Sequence, residues 1–276
     1  MRHFARIAVM LTALSLSTLV LAQEQDVRIF AHRGGRQEQD ENTMSGFKGS
    51  FERGYRGFET DVHFTKDHAL IITHDSNLER MTGQKVIVEE KTEAELRKIR
   101  TLKGNPIPFL SDVLDFFQDK SGLYIEFEMK TTDTSLYPDE LIPEYCEKVY
   151  AAVMAQKPKD ATYLFTSFDY RPLRYLRQHH PDADLLLISS DPCSEKMIAL
   201  CKAMDIKRMG VGIQGTSRSA VEAAHKAGLT VSLWPGNKVE DTILGIYLGA
   251  DFLCTDVPYQ VKTYLDAKMP WLHTIY

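Results

Sequence analysis

Cysteine is scarce in this sequence: Cys146, Cys193, Cys201 and Cys254 are the only four in 276 residues. Four thiols cannot build a disulfide scaffold, so a hydrophobic core must hold the fold. An excess of basic residues is also missing, because 33 Lys plus Arg against 38 Asp plus Glu leave a net charge of −5. Proteins that bind a phosphate backbone draw their affinity from clustered cations, so nucleic acid is excluded as a partner class. No low-complexity tract, repeat or linker interrupts the chain. The longest apolar run, Ile7 to Leu21, falls short of the roughly 20 residues that span a bilayer. What is present is an ordinary globular composition, 43% hydrophobic, 26% charged and 10% aromatic, in a length that fits one large α/β barrel.

The first 22 residues differ from the rest. Arg2 and Arg6 precede the apolar run, and Val20-Leu21-Ala22 supplies the small residues of a cleavage site, the pattern of a secretory signal peptide. Gln23 follows the cut, so no lipid anchor and no stable membrane anchor is expected. Removing residues 1–22 leaves a single domain over residues 23–276, and the expected destination is the periplasm or the exterior. An oxidising setting permits a local Cys193–Cys201 bridge, whereas Cys254 lies in an apolar run and reads as a buried thiol.

Eight short apolar segments recur along the chain: Val27 to Ala31, Gly57 to Val62, Leu123 to Met129, Tyr163 to Thr166, Leu185 to Ile188, Met209 to Ile213, Thr230 to Trp234 and Asp251 to Cys254. Amphipathic stretches such as Thr43 to Arg53, Leu141 to Gln156 and Ser217 to Ala227 separate most of them. Strand and helix alternate, which predicts a parallel sheet and, with eight units, a TIM (β/α)8 barrel with its site at the C-terminal strand ends. Only Lys66-Asp67-His68 separates the second strand from a further apolar run, Ala69 to Thr73. Three residues cannot carry a crossover helix, so a hairpin is expected there, folding His74 back toward Thr60 and Glu59. Residues 76–122 then form a longer excursion.

His32-Arg33-Gly34 directly follows the first strand, the position of a barrel site but a weak signal alone. Glu59 and Asp61 stand two apart on a strand and therefore share one face. Both faces of a barrel strand are covered, so two carboxylates pointing inward call for a cation to offset their repulsion and desolvation. Glu126, Glu128 and Lys130 repeat the spacing. All-oxygen ligation suits one hard divalent cation, Mg²⁺ or Ca²⁺.

Together with Glu41-Asn42-Thr43, Glu59-Thr60-Asp61-Val62, Thr65-Lys66-Asp67, His74-Asp75, Leu78 to Thr82, Ile107-Pro108, Glu128-Met129-Lys130, Ser167-Phe168, Trp234 and Thr255-Asp256-Val257-Pro258, the His32-Arg33-Gly34 run resembles the glycerophosphodiester phosphodiesterase family. The motifs keep the family's order and spacing from residue 28 to about 265. The resemblance implies a TIM barrel of the phospholipase-C-like phosphodiesterase type. It also implies metal-dependent hydrolysis of small-molecule glycerophosphodiesters to an alcohol and sn-glycerol 3-phosphate. Carried over by motif, His32 and His74 are the acid/base pair, and Glu59, Asp61 and Glu128 are the metal ligands. Arg33 and Lys130 contact phosphate, Glu41 supports the site and Trp234 walls the substrate groove. The sequence departs from the pattern at Asp40, where Pro is usual, at His68, where a turn Gly is usual, and at Pro235-Gly236. The last departure leaves the alcohol open, and with it a lysophospholipase-D-like alternative. A non-catalytic phosphoglycerol-binding protein is the reading from another class. The other histidines, including His63 and His68 on the hairpin, match no family motif.

The chemistry accounts for the residue types. Cationic groups neutralise charge growing on the phosphoryl oxygens. One imidazole takes a proton from the nucleophile while another protonates the leaving alkoxide. The nucleophile is water, or the substrate's own glycerol hydroxyl forming a cyclic phosphate first.

Overall fold

A computed structural model describes residues 26–276; the segment read as a signal peptide lies outside them. The described residues form strands β1 (Val27–His32), β2 (Gly57–Phe64), β3 (Leu70–Ile72), β4 (Tyr124–Met129), β5 (Thr162–Ser167), β6 (Leu185–Pro192), β7 (Arg208–Gly212), β8 (Thr230–Gly236), β9 (Phe252–Thr255) and β10 (Thr274–Ile275). All but β3 and β10 stand side by side in the order β1-β9-β8-β7-β6-β5-β4-β2, and β1 also pairs with β2, which closes a parallel barrel. Helices alternate with the strands, giving the TIM barrel that the sequence predicts. Several open on the side chains expected to cap them: Thr43, Ser194 and Ser217 each accept a backbone N–H of the first turn.

Every residue of β2 and β4 is buried, as parallel strands covered on both faces require. Outward-facing Phe58 packs edge to face on Phe47 at 6.1 Å and against Phe117 at 4.9 Å, fixing the helices over the strand. Inward, the register sets Glu59 opposite Glu126 and Asp61 opposite Glu128. Lower in the barrel, Phe30, Tyr124 and Phe252 close the interior, with Tyr124 and Phe252 stacked at 4.8 Å.

The hairpin forms as expected: β3 runs antiparallel to β2, with His63 opposite Ile71. At its turn His68 adopts φ +58°, the left-handed region where glycine alone carries no penalty. Its ring stacks on Phe64 and its Nδ1 lies 2.6 Å from Glu144, which offsets that strain. The excursion has a small core of its own, with Leu78, Val88, Leu96, Ile107 and Phe109 packed on Ile71. Asp40 explains its departure from proline, since its carboxylate accepts Thr101 Oγ1 at 2.5 Å and Asn105 Nδ2 at 2.8 Å and ties the excursion to the mouth of the barrel.

The Cys193–Cys201 bridge does not form: all four cysteines are free and buried. Helix Glu195–Ala203 intervenes, and its rise carries the two backbones about 10 Å apart, beyond the roughly 7 Å a disulfide spans. Cys193 Sγ instead points to the Ala220 carbonyl at 3.4 Å.

Candidate active site

The C-terminal ends of β1, β2, β4 and β9 converge on one group of side chains. His32 closes β1. Its Nδ1 lies 2.5 Å from Asp256 Oδ1, at the end of β9, and its Nε2 lies 3.6 Å from Glu59 Oε2. Gln37 Nε2 and Arg36 Nε hold the other oxygen of Asp256 at 3.2 and 3.1 Å. Burial lowers the affinity of His32 for its proton and Arg33 adds to this, while Asp256 opposes them in part; the net shift is downward.

Carboxylate oxygens of Glu59, Asp61 and Glu128 lie within 4.8 Å of one another, and the three residues are 4%, 0% and 7% exposed. Glu59 Oε1 and Asp61 Oδ1 are buried without a hydrogen-bond partner. Orphaned carboxylate oxygens cost free energy unless something cationic meets them, and a hard oxygen-seeking cation fits this donor set. Burial, with Asp61 and Glu128 close by, holds the Glu59 carboxyl well above the usual range. Asp61 goes the other way: burial would raise it, but Lys130 and Arg33 outweigh burial and Asn42 Nδ2 donates to Oδ2 at 2.8 Å. Lys130 Nζ reaches Glu128 Oε1 at 2.8 Å and Asp61 Oδ1 at 3.5 Å.

Arg33 sits at φ +51°, a strained backbone for a residue with a side chain. The strain aims its backbone N–H at Glu59, 3.1 Å from the carbonyl oxygen and 3.2 Å from Oε2, and brings its guanidinium to Asp61 and Glu41 at 3.4 and 3.3 Å. Gly34, at φ +77°, leaves no room for a Cβ against the helix backbone at Gly46 and Phe47, which fixes the residue after Arg33 as glycine.

His74 enters from the loop after β3, so the hairpin brings it to the cavity that Glu59 and Glu128 line. Its Nδ1 lies 2.6 Å from Asp75 Oδ1. Arg80 grips Asp75 Oδ2 at 2.7 Å and both oxygens of Glu41 at 2.7 and 2.9 Å, so Glu41 links Arg33 to the His74 loop. His63 is buried and does touch the site: its Nε2 lies 3.2 Å from the His74 carbonyl.

His32, Arg33, Glu59, His74, Glu128 and Trp234 line a single cavity. Phe168, edge-on to Trp234 at 5.4 Å, Phe30, Leu186 and Ile188 make its apolar wall. Gly210 and Ser232 keep it open, and Glu126 lies in it with Oε1 2.5 Å from the Tyr124 hydroxyl. Burial pushes the Glu126 carboxyl up to about 7.

Every residue singled out from the sequence therefore meets here: Asp61, Lys130 and Glu41 through the bonds above, the others on the cavity wall. Asp256, Asp75, Asn42, Arg80 and Phe168 stand inside the motifs quoted above and Glu126 in the repeated strand spacing, but the sequence alone assigns none of them a role of its own. Asp256 carries a usable signal, an acid immediately after the last barrel strand. Arg80 lies in the Leu78 to Thr82 motif, but its tie to Glu41 spans 39 positions and has no local signal.

The model of the glycerophosphoryl diester phosphodiesterase family matches residues 32–260. A glycerophosphodiester phosphodiesterase of Bacillus altitudinis is 28% identical over 240 residues, covering 84% of this chain and 95% of its own. The lysophospholipase D GDPD1 of Homo sapiens is 30% identical over 130 residues, 42% of this chain and 40% of its own. The fold superposes with a TM-score of 0.78 on an Oleispira antarctica phosphodiesterase solved in complex with the product sn-glycerol-3-phosphate, at 21% identity, covering 88% of this chain and 97% of that one. A family match over most of the chain, on a barrel that gathers the motif residues around one cavity, establishes that the chain belongs to the glycerophosphoryl diester phosphodiesterase family, enzymes that hydrolyse phosphoric diesters.

Proposed function

We propose that this chain hydrolyses glycerophosphodiesters to an alcohol and sn-glycerol 3-phosphate. In this reading Glu59, Asp61 and Glu128 hold one divalent cation, Mg²⁺ or Ca²⁺, and His32 and His74 serve as acid and base. The observation that carries the proposal is the pairing of two carboxylate-anchored imidazoles with a buried triad in which Glu59 Oε1 and Asp61 Oδ1 lack hydrogen-bond partners, at one cavity. The product bound to the Oleispira antarctica relative supports the substrate class.

Bound at the triad, the cation supplies charge neutralisation on the phosphoryl oxygens. Arg33 and Lys130, already beside the triad, add positive charge to the same oxygens. Asp256 and Asp75 accept from Nδ1 and so leave Nε2 of each histidine to exchange protons with substrate. One takes the proton of the nucleophile, water or the glycerol 2-hydroxyl, and the other gives a proton to the departing alkoxide. The composition of residues 1–22 supports export to the periplasm or the exterior.

The apolar wall of Phe30, Phe168, Leu186 and Ile188 favours one second reading, lysophospholipase-D-like activity on the same site. Assaying glycerophosphodiesters and lysophospholipids with Mg²⁺, Ca²⁺ or EDTA tests both. Release of sn-glycerol 3-phosphate from glycerophosphodiesters is expected, faster turnover of lysolipid would favour the second reading, and binding without turnover of either class would overturn both.

A further inference from the structure

His63 is 3% exposed and its ring lies between two acceptors. Nδ1 is 2.8 Å from Glu89 Oε1, and Nε2 is 3.2 Å from the backbone carbonyl of His74. A backbone carbonyl only accepts, so the contact to His74 requires the N–H on Nε2, while Nδ1 faces Glu89 Oε1. The surroundings hold that pair in place. The Tyr137 hydroxyl accepts the Phe64 N–H at 2.8 Å and turns its own proton to Glu89 Oε1 at 3.0 Å, and Ser76 Oγ donates to the same oxygen at 3.2 Å. Three elements thus meet at one point: β2, the 3₁₀ turn Val88–Glu90 of the excursion, and the loop carrying His74, Asp75 and Ser76.

That loop needs an anchor. The side chains of His74 and Asp75 are each 31% exposed, and the partner of Asp75, Arg80, is 50% exposed. The contacts of the imidazole are therefore wet, while the bond to the His74 carbonyl comes from a histidine that is itself buried. We propose that His63, fixed by Glu89 and Tyr137, is a positioning residue that sets where the His74 imidazole stands over the cavity, and that the excursion contributes to catalysis through Glu89. The proposal rests on reading His74 as acid or base.

A mispositioned proton-transfer group costs rate rather than ground-state binding, and a displacement near 1 Å can cost about 10²-fold. His63→Ala is expected to lower kcat by about ten- to a hundredfold with KM and cation affinity, read by calorimetry, unchanged. Gln carries an amide N–H near the place of Nε2, so His63→Gln should recover much of the loss, and Glu89→Gln should show a smaller drop of the same kind. The decisive measurement adds His63→Ala to His74→Ala: with nothing left to position, the second substitution should cost no more than about twofold further. An unchanged kcat in His63→Ala, or an equal further loss in the His74→Ala background, would overturn the proposal. A fall in cation affinity would do so too, by routing the effect through Asp61. Should His63→Ala not fold, the Gln variants decide, both staying at wild-type kcat counting against it. A fully active His74→Ala enzyme would instead bring down the reading of His74 itself.

Discussion

His32 Nδ1 lies 2.5 Å from Asp256 Oδ1, across 224 positions of sequence, and the aspartate side chain is wholly buried. An ionised carboxylate accepts only, so this contact puts the proton on Nδ1 and leaves Nε2 facing Glu59 and the cavity. Asp256→Asn should therefore lower kcat on the order of 10² to 10⁴-fold while KM changes little, since the imidazole would be turned or held in the wrong tautomer. Asp75→Asn should cost less, because Asp75 is part-exposed and water can replace it. Steady-state kinetics on both variants checks the ranking, and an Asp256→Asn enzyme with wild-type kcat would exclude the orienting role.

The two histidines act in the same step on opposite oxygens of one phosphate in this reading. Replacing either with Ala is expected to cost about 10² to 10⁴-fold in kcat. The double variant should lose far less than the product of the two, because groups working as a unit are not additive. His225, which sits on helix Arg218–Lys226 and reaches Asp251 at 2.8 Å, is the control, and its Ala variant should keep near-normal kcat. A His74→Ala enzyme at full rate would place the second proton-transfer group elsewhere.

Much of this site was readable in advance because period-two spacing survives folding. Glu59 with Asp61, and Glu128 with Lys130, needed only the knowledge that both faces of a barrel strand are covered. The three-residue gap before Ala69 settled the hairpin, and the hairpin settled where His74 goes. What stayed hidden was made by the excursion and by distant pairings. Asp40 meets Thr101, Glu41 meets Arg80 and His63 meets Glu89 only after residues 76–122 fold over the mouth, and no local periodicity encodes those contacts. Hence His63 looked like a hairpin residue without a task.

The thiols make a simple check on the correction at Cys193. All four cysteines are buried and free, and burial raises the thiol of each. Denatured protein without reductant should titrate four thiols per chain, and dithiothreitol should leave Tm unchanged. A titration of two thiols together with a Tm that falls in reductant would restore the bridge.

Removing the cation should abolish turnover, and the pH dependence of stability should reveal why. Burial and the neighbouring Asp61 and Glu128 hold Glu59 well above the ordinary glutamate value of 4.5, and burial pushes Glu126 up to about 7. A raised value means that the fold favours the protonated form. The stability this contributes is complete below 4.5 and is lost as pH rises through the raised values. Asp61 has the opposite sign, but its lowered value makes its contribution complete and constant in the neutral range. The metal-free protein should therefore weaken between about pH 5 and pH 8. In the proposed reading a divalent cation would be held by the ionised triad and would compete with protonation of Glu59, whose carboxyl burial raises, so its stabilisation should grow as pH rises. Tm in EDTA and in Mg²⁺ or Ca²⁺ should diverge as pH rises, and calorimetry in two buffers of different ionisation enthalpy should show proton release on binding. Glu59→Gln carries no proton to displace, so it should bind more weakly and release fewer protons. A cation-induced Tm shift that shrinks with rising pH, or full turnover in excess EDTA, would remove the cation from Glu59, Asp61 and Glu128.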